Sequence, residues 1–179
     1  SEFTSPYAFY QFWLNVDDAD VIDRLKVFTF LTRAEIEQLD AETAEAPFKR
    51  AAQKRLAFEV TALVHSPEAA QAAIDASSAL FGQGELALLD AATLESALAE
   101  LPSATAGKDA PIAQLLCDTG LVTSISAGRR AIAEGGVYLN NVKIEDELAT
   151  WGSVQDALLH DRFAVLRRGK KTLAALFLA

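Results

Sequence analysis

Apolar side chains recur at helical spacing through the first hundred residues, then give way to short, near-continuous runs toward the end of the chain. Ser5-Pro6 pairs an N-cap residue with proline at the first helical position, and Phe9, Phe12, Trp13 and Val16 follow at helical spacing. A second helix is predicted from near Asp17 or Asp18, with Val21, Leu25 and Phe28 along one face. Thr32 with Glu35 makes a capping box, opening a helix that carries Ile36 and Leu39. Pro47 is expected to open a longer helix through Phe48, Leu56, Val60, Leu63 and Val64. Ser66-Pro67-Glu68 repeats the cap-then-proline signal for a helix to about Leu80, and a short helix over 91–101 closes this half. β-branched runs and two-residue hairpin turns are missing, so the half reads as all-α.

Beyond the small-residue stretch Pro102-Ser103-Ala104-Thr105-Ala106-Gly107 the period changes. Residues 103–110 read as a linker between a helical domain over 4–102 and a second domain over 111–179. In the second domain, 109–117 is predicted as a short helix with Ile112, Leu115 and Leu116 inward and Gly120 at its stop. Another helix runs over 124–134 and ends at Gly135-Gly136. Val137-Tyr138-Leu139, Asn140-Asn141 and Val142-Lys143-Ile144 read as a hairpin, because asparagine tolerates the positive φ that a tight turn requires. A second hairpin pairs 162–168 with 172–178 around Gly169. The expected fold class is α + (α+β): an all-helical domain, then two helices and a short, mostly antiparallel sheet.

Composition adds a boundary and a contrast. The 179 residues carry 16 basic and 25 acidic side chains, net −9, which taken whole argues against a nucleic-acid binder. Residues 1–107 carry 7 basic and 17 acidic side chains, whereas residues 108–179 carry 9 and 8. One cysteine, Cys117, excludes an internal disulfide framework and fits a reducing compartment; with only His65 and His160 beside it, no Cys/His zinc cluster can be built. No signal peptide or membrane span is legible, so the cytoplasm is the expected location. Methionine is absent, and Ser1-Glu2-Phe3 reads as a cloning remnant ahead of an excised piece.

The cations of the second half suggest chemistry. Arg167-Arg168-Gly169-Lys170-Lys171 places four cations in five residues at a predicted turn, a crowding that a polyanion would relieve. An isolated run of this kind is ordinarily a solvated turn, but Arg129 and Arg130 add a second cluster in the same domain. In the helical half, Arg50 and Lys54, beside Lys49 and Arg55, could meet RNA or could pair with Asp40, Glu42 and Glu45. Asp17, Asp18 and Asp20 could accept hydrogen bonds from base amines or could cap a helix. Phe9, Tyr10, Phe12 and Trp13 are expected mostly in the core, and Cys117 is expected to be buried. Gly82-Gln83-Gly84 lacks the third glycine and the preceding strand of a phosphate loop. No catalytic or metal-binding constellation is present.

Thr4-Ser5-Pro6-Tyr7-Ala8-Phe9-Tyr10-Gln11-Phe12-Trp13-Leu14-Asn15 resembles the start of the helical anticodon-binding domain of bacterial tyrosyl-tRNA synthetases. The likeness continues through Asp18-Ala19-Asp20-Val21, Phe28-Thr29-Phe30-Leu31, Ala46-Pro47, Lys49-Arg50-Ala51-Ala52-Gln53-Lys54, Val64-His65 and Ala79-Leu80-Phe81. Residues 124–140 and Val165-Leu166-Arg167-Arg168-Gly169-Lys170-Lys171 are similar to the ribosomal-protein-S-four-like RNA-binding domain that ends these enzymes. The resemblance implies contact with tRNA(Tyr), at the anticodon stem and long variable arm, through Arg129, Arg130, Lys143, Arg167, Arg168, Lys170 and Lys171. It implies anticodon contacts from the helical half, for which Asp17, Asp18, Asp20, Arg50 and Lys54 are the candidates. It also implies a homodimeric parent enzyme that uses ATP with Mg in a catalytic domain outside this chain. The fragment alone is then expected to be inactive and monomeric. A different class, a non-enzymatic helical adaptor with an rRNA- or protein-binding tail, is the alternative. Asn141 stands where this module often has glycine, and Ile125 where a basic residue is common.

Overall fold

The computed structural model describes residues 4–154 and 157–179, so the supposed remnant Ser1-Glu2-Phe3 lies outside the described residues. Among the described residues there are eight α-helices and a five-stranded mixed sheet. The chain divides into two compact units, residues 1–74 and 75–179.

The first unit is helical: α1 (Pro6–Leu14), α2 (Asp18–Phe28), α3 (Arg33–Glu45), α4 (Ala51–Val64) and the start of α5 (Pro67–Leu80). Local chemistry sets most of the boundaries. Ser5 Oγ accepts from the Ala8 N–H at 3.1 Å, and Ser66 Oγ accepts from Ala69 at 3.1 Å. Thr32 and Glu35 form both bonds of a capping box. Pro47 behaves differently from expectation. It opens a single 3-10 turn, Pro47–Lys49, which Arg50 ends in the left-handed region at φ 52°, and α4 begins only at Ala51. The buried stripe of α1 is Tyr7, Tyr10 and Trp13, while Phe12 is 63% exposed and Phe28 of α2 is 46% exposed. Trp13 and Val16 of the predicted face are buried, but Tyr7 and Tyr10 take the inward places expected for Phe9 and Phe12. Val21, Leu25, Leu56, Ala57 and Val60 complete this core.

The second unit starts with the end of α5, passes through α6 (Ala91–Leu98), and continues with β1 (Ser103–Ala106), α7 (Ile112–Asp118), α8 (Ile125–Ala133), β2 (Val137–Leu139), β3 (Val142–Lys143), β4 (Phe163–Arg168) and β5 (Thr172–Leu178). The strand order is β1-β5-β4-β2-β3, with β1 parallel to β5 and every other pair antiparallel. Residues 103–110, read as a linker, therefore contain a sheet strand: Ser103–Ala106 pair in register with residues 175–178. Ser103-Ala104-Thr105-Ala106 alternates only small polar with small apolar side chains, Ala104 and Ala106 packing half-buried on the core, and its strand state comes from backbone bonding to a partner some seventy residues away.

The sheet also accounts for the position of the division. One face, with Val137, Leu139, Ala164, Leu166, Ala174 and Leu176, packs into a cluster with Ile112, Leu115, Leu116 and Ile132 of α7 and α8. The opposite face carries Phe163, Val165, Leu173 and Ala175, which are buried as well. Strands buried on both faces need cover on both sides. Residues 75–101 belong to the same unit and bring the buried Leu80, Leu86, Leu89, Leu94 and Leu98. Their polar ties run to the strand region: Asn141 Nδ2 donates to the Ala79 carbonyl at 2.9 Å, His160 Nε2 lies 2.8 Å from the Leu89 carbonyl, and Arg162 meets Glu95 at 3.5 Å.

Candidate nucleic-acid interface

The cationic end of the second unit is built around two glycine-bearing turns. α8 stops at Gly135, φ 72°, and the β4–β5 turn passes through Gly169, φ 64°; both need the left-handed region that a Cβ disfavours. The Gly169 N–H donates to the Gly136 carbonyl at 2.7 Å, which fixes the turn against the end of α8. Arg168 Nη1 donates to the Leu121 carbonyl at 2.8 Å, in the loop that leads into α8. A Cβ on Gly135 would stand 2.9 Å from Lys143 Cε, so the lysine stem of β3 lies over the same glycine. The structure thus brings together Lys143, Arg168 and the turn that holds Lys170 and Lys171.

α8 presents Arg129 and Arg130 outward. Its buried residues are Gly128, Ala131 and Ile132, whereas Ile125, Ser126, Arg129, Arg130 and Ala133 form the exposed stripe. The helix is pressed close to α7, since a Cβ on Gly128 would come within 2.7 Å of the Ala113 carbonyl oxygen. Arg129 and Arg130 stand within two turns of Gly135 along the helix, ahead of the turn. Arg129, Arg130, Lys170 and Lys171 are exposed and take part in no ion pair among the described residues. Lys143 lies 3.8 Å from Glu145.

Arg167 and Arg168 differ from their neighbours. Arg167 lies with its guanidinium 4.1 Å from the centre of the Tyr138 ring, its cross-strand partner, and Nη1 donates to the Gly169 carbonyl at 3.0 Å. Only the strand register could reveal this, because Tyr138 and Arg167 are 29 positions apart in the sequence. Asn140 and Asn141, at φ 48° and 67°, make the tight β2–β3 turn. Gly82-Gln83-Gly84 ends α5: Gly82 takes φ 79° and the Gln83 N–H donates to the Ser78 carbonyl at 2.9 Å. Cys117, expected to be buried, is only half-buried, packed against the edge of the α7–α8–sheet cluster.

In the helical unit three of the five candidates, Arg50, Asp18 and Asp20, have intramolecular work. Arg50 Nη2 donates to the Leu14 carbonyl at 2.6 Å and the Val16 carbonyl at 3.3 Å, closing the end of α1. None of the expected pairs with Asp40, Glu42 or Glu45 forms at Arg50; Arg55 instead meets Glu35 at 3.3 Å and Glu59 at 2.7 Å. Asp18 accepts from the buried Gln53, and Asp20 pairs with Arg24 at 3.4 Å. Asp17 occupies the N-cap of α2 without a side-chain cap bond, and it remains exposed like Lys54. No group of three His, Cys, Asp or Glu side chains among the described residues could hold a metal ion, and no helix there is long and apolar enough to cross a membrane.

Comparison with known proteins matches both halves. A tyrosine–tRNA ligase SYY-like C-terminal domain family matches residues 93–176, and the class I tRNA synthetase family for tryptophan and tyrosine matches residues 1–82. The tyrosine–tRNA ligase of Leifsonia xyli is 59% identical over 97% of this chain and 39% of its own length. Those of Kineococcus radiotolerans and Streptomyces coelicolor are 57% and 53% identical over 97% of this chain, each over 41% of its own length. The chain spans about two-fifths of the curated relatives it matches. With both halves matched in this way, the chain belongs to the tyrosine–tRNA ligase family and corresponds to its C-terminal region.

Proposed function

We propose that this chain is the tRNA-gripping portion of a tyrosine–tRNA ligase, holding tRNA(Tyr) by its phosphate backbone at the end of the second unit. The observation that carries the reading is the juxtaposition of the β4–β5 turn and Lys143 with the closing glycines of α8, with Arg129 and Arg130 on the outward stripe of that helix. Exposed cations without carboxylate partners leave their charge available to phosphate, and release of counterions from the RNA then drives binding. Lys170, Lys171, Arg129 and Arg130 are the contact residues in this reading, joined by Lys143 even though it lies 3.8 Å from Glu145, with Arg167 and Arg168 belonging to the same surface. The anticodon stem and the variable arm are the elements to be held, with anticodon contacts drawn from the exposed Asp17 and Lys54 and from the edges of Asp18, Asp20 and Arg50.

Activation of tyrosine with ATP and Mg belongs, in this proposal, to the larger part of the enzyme outside these residues. In this reading Gly82-Gln83-Gly84 serves to end α5, with Gly82 at φ 79° and the Gln83 N–H on the Ser78 carbonyl. The chain by itself is proposed to be monomeric, inactive in aminoacylation and cytoplasmic. Titration of tRNA(Tyr) and of a second tRNA at two salt concentrations tests the reading. Tighter binding of tRNA(Tyr), weakening steeply with salt, is expected. Equal affinity for both would reduce the function to generic RNA binding, and binding indifferent to salt would remove the phosphate-grip reading.

A further inference from the structure

Arg167 is the cation of the turn that is least available to an outside phosphate. Its Nε is shut off from solvent and has no hydrogen-bond partner, its Nη1 is committed to the Gly169 carbonyl, and its Cζ lies over the Tyr138 ring. Its Nη2 borders the space over Gly82, where a Cβ would come within 3.5 Å of it. The same space is bordered by Asn141 Oδ1, which would be 3.4 Å from that Cβ and is itself buried without a partner. The other end of the Asn141 amide is used: Nδ2 donates to the Ala79 carbonyl, one of the orphan carbonyls at the end of α5. Gly82, Tyr138, Asn141 and Arg167 thus form a junction in which the last turn of α5, the β2–β3 turn and the root of the β4–β5 turn meet.

We propose that Arg167 is a positioning residue and not a phosphate ligand: clamped at this junction between Tyr138 and the Gly82–Asn141 edge, it holds the β4–β5 turn so that Lys170 and Lys171 face the RNA. The proposal rests on the phosphate-grip reading and divides its cations by role. A phosphate ligand needs charge and reach, which lysine also supplies; a clamp needs the flat fork that can lie on a ring and reach a carbonyl at the same time. Asn141 shares the task, because its amide anchors the neighbouring turn to α5. Its left-handed backbone would suit glycine at least as well, so the side chain has a use beyond the turn itself.

Two variants and two readouts test the clamp. Arg167→Lys keeps the charge and removes the planar fork; Asn141→Gly keeps the turn and removes the amide. Both are expected to weaken tRNA binding by about three- to tenfold, the range that loss of a cation–π contact or a hydrogen bond gives. The log–log salt slope is expected to stay at the wild-type value, and the double variant should lose less than the product of the two single losses. Retention of full affinity by Arg167→Lys, together with a slope reduced by about 0.7–0.9 in Arg167→Ala, would overturn the proposal, because that is the signature of one phosphate contact. Amide exchange supplies a readout without RNA. The Gly169 N–H, bonded to the Gly136 carbonyl, should exchange faster in both variants while the amides of α7 keep their protection. Unchanged exchange at Gly169 would overturn the clamp. Absence of tRNA binding by the wild-type chain would instead overturn the phosphate-grip reading, with the exchange result still deciding the junction.

Discussion

In residues 4–74 five of the seven cations serve the unit's own structure: Arg24, Lys26, Arg33 and Arg55 meet Asp20, Asp23, Glu37, and Glu35 with Glu59, while Arg50 closes α1 through two carbonyls. In residues 75–179 the arrangement is reversed. Arg129, Arg130, Lys170 and Lys171 stand exposed without carboxylate partners among the described residues, although the unit as a whole carries 9 basic and 13 acidic side chains and is net negative. Net charge therefore says little about where a polyanion would bind. The carboxylates of 75–101 belong to a segment tied to the strand region through Ala79, Leu89 and Glu95, whereas Lys170 and Lys171 lie on the β4–β5 turn that is bonded to the end of α8. Exposed pairs of the kind found in the helical unit are individually weak, so that unit leans on its helix caps and its core.

Four measurements would sharpen or break this contrast. The largest effect is expected from Leu116→Ala, which removes a fully buried side chain from the α7–α8–sheet cluster and should cost about 2–5 kcal/mol in urea melts. A cost below about half a kcal/mol would contradict the central place given to that cluster. Next, replacing Lys170 and Lys171 together by Ala should lower the log–log salt slope of tRNA binding by about 1.4–1.8, depending on duplex or single-stranded contact. The matched pair Lys26→Ala with Arg33→Ala should leave the slope unchanged, and a fall there would erase the distinction between the units.

Thr32→Ala breaks the capping box of α3 and should cost about 0.5–2 kcal/mol, read in the same melts. The smallest effects are those of pH. Hydrogen bonds from the Thr32 backbone and hydroxyl, with the Arg55 charge behind them, hold the Glu35 carboxyl below the ordinary glutamate range. Its contribution is present above that range and is lost as pH falls through it, so Glu35→Gln should flatten stability on the acid side. Burial beside the Phe9 ring pushes the His65 imidazole down. The unfolded chain then binds more protons, so stability should fall as pH drops through the ordinary histidine range, and His65→Phe should remove that slope.

Much of the helical unit was legible because its signals are local. Ser5-Pro6, Thr32 with Glu35, and Ser66-Pro67 each satisfy backbone groups within three or four positions, and each marks a helix start in the structure. Both hairpins and the helix α8 were legible for the same reason, through Asn140-Asn141, Gly169 and Gly135-Gly136. Pro47 misled, since a proline at a helix start and a proline in a 3-10 turn look alike until Arg50 adopts positive φ. Of the candidate interface, the residue types could be read but not their commitments. That Arg50 serves α1, and that Arg167 lies on Tyr138 while Lys170 stays free, depends on partners 29 to 36 positions away.

By itself the amino-acid order determined where helices begin, which turns are tight, and that the cations of the last seventy residues come in two clusters, because those properties depend on neighbours within a turn or a hairpin. Tertiary structure alone decided that Ser103–Ala106 is a strand, that the sheet is buried on both faces, and which arginines are spent on carbonyls and rings. The physical reason is range: backbone pairing, burial and guanidinium contacts are settled by groups that only folding brings together.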